Sequence, residues 1–180
     1  MVIYKLRDWI SIDKLVFPYL SLNPNAIPIL EKNQDKIHWS NLSSNPNAID
    51  LLEKNLDKID WFGLSSNPNA IPILEKNQDK IDWSQLSYNP NAIDLLEKNI
   101  DKIDWDYLSF NPNAIHLLEK NINKIYLRLF SKNPSIFVYD YENMKKHFYD
   151  TYGKELIETL YNPKNFHKFG KNYWNIDEEP

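Results

Sequence analysis

Apolar and polar positions along this chain recur every 22 residues. Trp39, Trp61, Trp83 and Trp105 keep that interval, as do Ala26, Ala48, Ala70, Ala92 and Ala114, which are all the alanines of the chain. The unit reads L-S-x-N-P-N-A-I-x-x-L-E-K-N-x-D-K-I-x-W-x-x and occurs in five near-identical copies. The period runs on into a degraded copy at Ser131-Lys132-Asn133-Pro134-Ser135-Ile136-Phe137. It also runs backwards, because Asp13-Lys14-Leu15-Val16-Phe17 matches Asp35-Lys36-Ile37-His38-Trp39. Atypical copies at both ends are the mark of capping repeats. A slower alternation lies on top: Pro28, Asp50, Pro72, Asp94 in one column and Gln34, Leu56, Gln78, Ile100 in another. It points to duplication of a two-repeat block.

Within a unit, proline and asparagine locate the elements. A helix starting at Pro24 would put Pro28 too deep and break a backbone bond. With Asn25 as N-cap, Pro28 falls at the third helical position, where no N–H partner is needed. Asp50 at the equivalent place suits the positive helix end. The pattern therefore predicts N-caps at Asn25, Asn47, Asn69, Asn91 and Asn113, and a first helix over 26–32. Asn33, Asn55, Asn77, Asn99 and Asn121 are expected to end it in the left-handed conformation. A second helical stretch over 35–43 follows, stopped by Asn-Pro. The expected core is Ile27, Leu30, Ile37, Trp39, Leu42 and their equivalents. Ile37, Trp39 and Leu42 share no single helical face, so that stretch is either buried on several sides or partly 3₁₀. The alanines are expected where neighbouring repeats approach closely. Helices this short are unstable alone, so stacking must hold them. The predicted fold is all-α: a right-handed α-solenoid of 22-residue, two-short-helix repeats with a helical C-terminal cap. Its parts are an N-terminal cap (1–17), the repeats (18–137) and an aromatic-rich cap with an acidic tail (138–180), in one continuous domain. Helices are expected in the cap over 141–151, 154–161 and 163–169.

Composition changes this picture little. With 19 Lys, 2 Arg, 23 Asn and 20 Ile, the usage follows AT-rich codons. The net charge of −4 divides into −6 over residues 1–119 (11 basic, 17 acidic), +5 over 120–174 (10 basic, 5 acidic) and −3 in the tail. There is no cysteine, hence no disulfide and no thiolate metal site. No apolar run has membrane-spanning length and no secretory h-region stands at the start, so an intracellular protein is expected and the sequon Asn41-Leu42-Ser43 is read as chance. His38, His116, His147 and His167 form no ligand set; His147 with Asp150, one helical turn apart, reads as a surface polar pair rather than a metal pair. Phosphate loops, nucleophile elbows and zinc motifs are missing. No catalytic residue, cofactor or metal is expected.

Recognition is expected instead at positions that vary between repeats. One column reads Leu22, Ser44, Ser66, Tyr88, Phe110, Lys132, and another reads Asn41, Gly63, Gln85, Tyr107, Leu129. Both become more aromatic towards the C-terminus. Either Tyr88, Tyr107 and Phe110, with Phe62 and Gln85, form a partner-binding hot spot, or the aromatic residues pack beneath the C-terminal cap. The tryptophan column reads as core, against the alternative of a stacking surface. The Glu31-Lys32 and Asp35-Lys36 columns read as solvated ladders of alternating sign.

The repeat unit resembles tandem repeats in uncharacterised proteins of giant DNA viruses, the mimivirus-like group. Tyr139-Asp140-Tyr141-Glu142-Asn143-Met144, Glu155-Leu156-Ile157 and Asn162-Pro163 look like the segment that closes those proteins, many of which have His-Pro where this chain has Asn162-Pro163. The resemblance covers residues 18–175 and implies no catalytic residues. More distantly, the Asn-Pro helix start is similar to that of bacterial leucine-rich repeat variants. The expectation is a viral protein-interaction scaffold with a host or viral protein partner, in the host cytoplasm or the virion. Alternatives are a structural component of a virion or inclusion, and an anion- or nucleic-acid-binding module using Lys145, Lys146, Lys154, Lys164, Lys168 and Lys171. No membrane association is expected. A monomer or a weak head-to-tail oligomer follows from the charge asymmetry and the two open ends of a solenoid.

Overall fold

The computed structural model describes residues 4–160, and the chain divides into two units, Met1–Ile136 and Phe137–Pro180. Every element among the described residues is helical. The first unit is a stack of 22-residue repeats, as the period requires. Each repeat contributes three short pieces. The A helices are Ile27–Leu30, Ile49–Glu53, Ile71–Lys76, Ile93–Glu97 and Ile115–Glu119. A 3₁₀ turn follows each: Gln34–Lys36, Leu56–Lys58, Gln78–Lys80, Ile100–Lys102 and Ile122–Lys124. The B helices are Trp39–Ser43, Trp61–Ser66, Trp83–Tyr88 and Trp105–Leu108, with Phe17–Leu22 before them and Leu127–Phe130 after. B helices pack against B helices of the adjacent repeats.

The boundaries differ from the sequence expectation in instructive ways. Asn25, Asn47, Asn69, Asn91 and Asn113 are not N-caps. The residue before each A helix is the alanine, and no side chain caps that end. The A helix therefore starts one residue later, and Pro28 sits at its second position. The argument from the missing N–H still holds there. Nor does Asn33 enter the left-handed region: its φ is −135° and its ψ 49°, and no non-glycine residue among those described has positive φ. Its Nδ2 instead donates to Ile29 O at 2.9 Å, so it satisfies a last-turn carbonyl by side chain rather than by backbone conformation. The 35–43 stretch is not one helix. Ile37 is extended (φ −65°, ψ 133°), and this break separates a 3₁₀ turn from an α-helix, which is why Ile37, Trp39 and Leu42 share no face.

The core is a continuous column. Leu30, Leu42, Leu52, Leu64, Leu74, Leu86, Leu96 and Leu108 are fully buried, and the alanines are sealed between repeats. Ile37 and its equivalents join them, whereas Ile27 and Trp39 with theirs are half-buried and pack on the core's flank. Leu51, Ile73, Leu95 and Leu117, one position before the fully buried leucine, belong to the core and were not expected there.

In the second unit, Tyr141–Phe148 is a helix capped by Asp140, whose side chain accepts from the Asn143 N–H at 3.1 Å. The predicted break at Gly153 does not occur. A π-type turn, Tyr149–Gly153, joins that helix to Lys154–Leu160. Gly153 is buried against the Tyr149 side chain, where a Cβ would come 3.3 Å from Cδ1. The helix expected over 163–169 lies outside the described residues.

Candidate partner-binding face

The fixed residues of the unit are consumed in joining repeats. Asn45, Asn67, Asn89, Asn111 and Asn133, the asparagines before proline, are buried. Each donates Nδ2 to two backbone carbonyls of the preceding repeat, as Asn89 does to Ser65 O (3.0 Å) and Asn67 O (2.9 Å). Its Oδ1 accepts from the backbone N–H two residues on, for Asn89 that of Asn91. The asparagine after proline adds a single bond, as from Asn91 Nδ2 to Pro68 O at 2.9 Å. The buried serines are a second bridge. Ser87 Oγ donates to Trp83 O at 2.8 Å and accepts from the Asp104 N–H of the next repeat at 3.0 Å, and Ser21, Ser43, Ser65 and Ser109 do the same. A third bridge is electrostatic. Lys58, Lys80, Lys102 and Lys124 each place Nζ 4.4–5.0 Å from the indole of the preceding repeat, and Lys36 does so over Phe17 at 5.2 Å. These lysines are thus not rungs of a charge ladder. Among the described residues the repeats hold one inter-repeat ion pair, Lys76–Glu53 at 3.9 Å, and one imidazole–carboxylate hydrogen bond, His116–Glu97 at 3.0 Å.

The variable columns behave differently. On each B helix they lie one, two and five residues after the tryptophan, at least partly exposed except at Gly63, which is buried. For Trp83–Tyr88 these are Ser84, Gln85 and Tyr88; for the next repeat they are Asp106, Tyr107 and Phe110. Tyr88 is 43% exposed and Tyr107 41%. Tyr88 and Phe110 are stacked, with ring centroids 5.6 Å apart and planes inclined by 3°. Gln85 is half-buried beside them. Phe62 is 57% exposed on an earlier B helix and is not part of the stacked pair. Neither tyrosine is buried among the described residues.

Carboxylates frame the rings. Asp60, Asp82 and Asp104 cap B helices: Asp104 Oδ1 accepts from the N–H groups of Asp106 and Tyr107. Asp104 Oδ2 accepts from Ser84 Oγ of the preceding repeat at 2.7 Å, and Asp60 Oδ2 accepts from Ser40 Oγ at 2.6 Å. No cation lies within ion-pair distance of Asp60, Asp82, Asp104 or Asp106 among the described residues. Sequence reasoning missed these caps, although an Asp before Trp and a helical run is a recognisable start signal.

No cluster of three or more His, Cys, Asp or Glu side chains that could hold a metal occurs among the described residues, and none of their helices is long and apolar enough to cross a membrane. Of the lysines expected to bind anions, Lys145, Lys146 and Lys154 are exposed on the second unit's helices; Lys164, Lys168 and Lys171 lie outside the described residues. Compared with family models, characterised proteins and solved structures, the chain matches none.

Proposed function

We propose that this chain is a non-enzymatic repeat scaffold that binds a protein partner through the outward B-helix face around Tyr88, Tyr107 and Phe110, in keeping with its resemblance to repeat proteins of giant viruses. One observation carries the reading: the framework positions are spent on inter-repeat bonds, while the stacked Tyr88–Phe110 pair stands at a column free to vary and half open to solvent. Large, stiff aromatic side chains give contact area at small entropic cost, which is why they dominate binding hot spots.

A photo-crosslinking residue at position 85 tests this, with the same residue at position 75 on the A-helix face as control. Capture of a defined species from position 85 alone, lost in the double variant Tyr88→Ser/Phe110→Ser, is the expected result. Equal capture from both faces, or capture indifferent to the two rings, overturns it. Serine is the replacement of choice because Ser44 and Ser66 occupy the same column in earlier repeats. A species retrieved only from purified particles would shift the role to a structural component of a virion.

A further inference from the structure

Building on that reading, we propose that the face is specific for a cationic partner segment, one that inserts arginine side chains between the aromatic rings and the uncompensated carboxylates of the B helices. The outward columns from residue 38 to 110 read His38, Ser40, Asn41, Ser44; Asp60, Phe62, Gly63, Ser66; Asp82, Ser84, Gln85, Tyr88; Asp104, Asp106, Tyr107, Phe110. Up to Phe110 they contain no lysine or arginine; the next repeat brings Arg128 and Lys132 to the same columns. The lysines nearest in the unit are committed elsewhere, their ammonium groups held over the indoles. From residue 60 to 110 the face is therefore negative and aromatic at once, and Arg128 and Lys132 bound it.

Negative charge and aromatic rings converge on one short helix, Trp105–Leu108, and the turn that follows it. Asp106 and Phe110 are four residues apart, so the exposed carboxylate lies on the same side as that ring, and the exposed Tyr107 adjoins it. Tyr88 extends the aromatic surface onto the preceding repeat by its parallel stack with Phe110. Asp104 lies at the start of the same helix, its oxygens satisfied by two N–H groups and a hydroxyl, its charge met by no cation. A guanidinium answers both features: its plane lies on a ring face, and its N–H edge pairs with a carboxylate. Lysine would satisfy the charge but not the planar stack, and an acidic segment would be repelled. Arginine is accordingly favoured over lysine.

Fluorescence anisotropy on the full chain tests this with three labelled peptides that differ only in carrying Arg, Gln or Glu at alternate positions. The Arg peptide is expected to bind, to weaken as salt screens the carboxylates, and to shift the ring resonances of Tyr88, Tyr107 and Phe110 in NMR. Phe110→Ser should weaken it about 3- to 30-fold, and Asp106→Ser about 3- to 10-fold. Both serines copy residues that earlier repeats carry at those columns, and a circular dichroism spectrum matching the parent verifies the fold. Gln and Arg peptides binding equally, with Phe110→Ser abolishing both, overturns the charge specificity and leaves the scaffold reading standing. An Arg peptide that binds regardless of Phe110 and Asp106 is held elsewhere on the acidic array, and this overturns the face itself. Failure of all three peptides to move the ring resonances overturns the inference.

Discussion

Asparagine has two jobs in this repeat, and substitution separates them. Asn89→Ala removes the donor from two buried carbonyls and the acceptor from the Asn91 N–H. A loss of about 2–4 kcal/mol in urea denaturation is expected, since buried groups left unpaired bear their full desolvation cost. Asn91→Asp is the sharper test. If Asn91 capped the A helix, aspartate would serve equally well. Because its amide donates to Pro68 O, aspartate loses the bond and sets a carboxylate against a carbonyl, so a loss of about 1 kcal/mol is expected. The period, the helix start near Pro28 and the buried leucines were legible in the sequence, because they are written within one unit. The asparagine and serine bridges were not. Their partners lie 17 to 24 residues away, so a reading of one unit finds only local work, capping or helix ending, for those side chains. The lysine column was misread for the same reason: its natural neighbour in sequence is aspartate, while its partner in space is an indole one repeat back.

At the scale of the element, capping carboxylates decide where helices begin. Asp104→Ala should cost about 1–2 kcal/mol, as the side chain holds the N–H groups of Asp106 and Tyr107 and the Ser84 hydroxyl together. Such a loss would also loosen the face that carries Tyr107. Asp140 caps the 141–148 helix and titrates differently from an ordinary aspartate. The Asn143 backbone N–H, and secondarily its side-chain amide, hold the carboxyl below its usual 3.8. A lowered folded-state value means the cap stabilises above the unfolded-state value and is lost as pH falls through the folded one. Helical signal from this segment should therefore fray only in acid below pH 3.8, followed by the Asn143 amide resonance in NMR. Asp140→Asn keeps an acceptor and should abolish the pH dependence. The aromatic patch was half legible at this scale. Column variation found Tyr88, Tyr107 and Phe110, but the stack between repeats needed coordinates.

For the repeat stack as a whole, the asparagine amides of the later repeat donate to backbone carbonyls of the earlier one. Deleting residues 45–66 joins Ser44 to Asn67, which then meets Ser21 O and Asn23 O as Asn45 did. That variant should fold, with a lower denaturation midpoint because one repeat and one junction are gone. Deleting 45–55 instead puts the donors out of register and should abolish cooperative unfolding in the same assay. The lysine–indole contacts carry a consequence in optical terms. The ammonium over each tryptophan comes from the following repeat, so the emission of Trp39, Trp61, Trp83 and Trp105 each senses the charge across one particular seam. A set of chains keeping a single one of these four, with Trp9 and Trp174 replaced by phenylalanine, would show by its own light which seam parts first when the stack is heated.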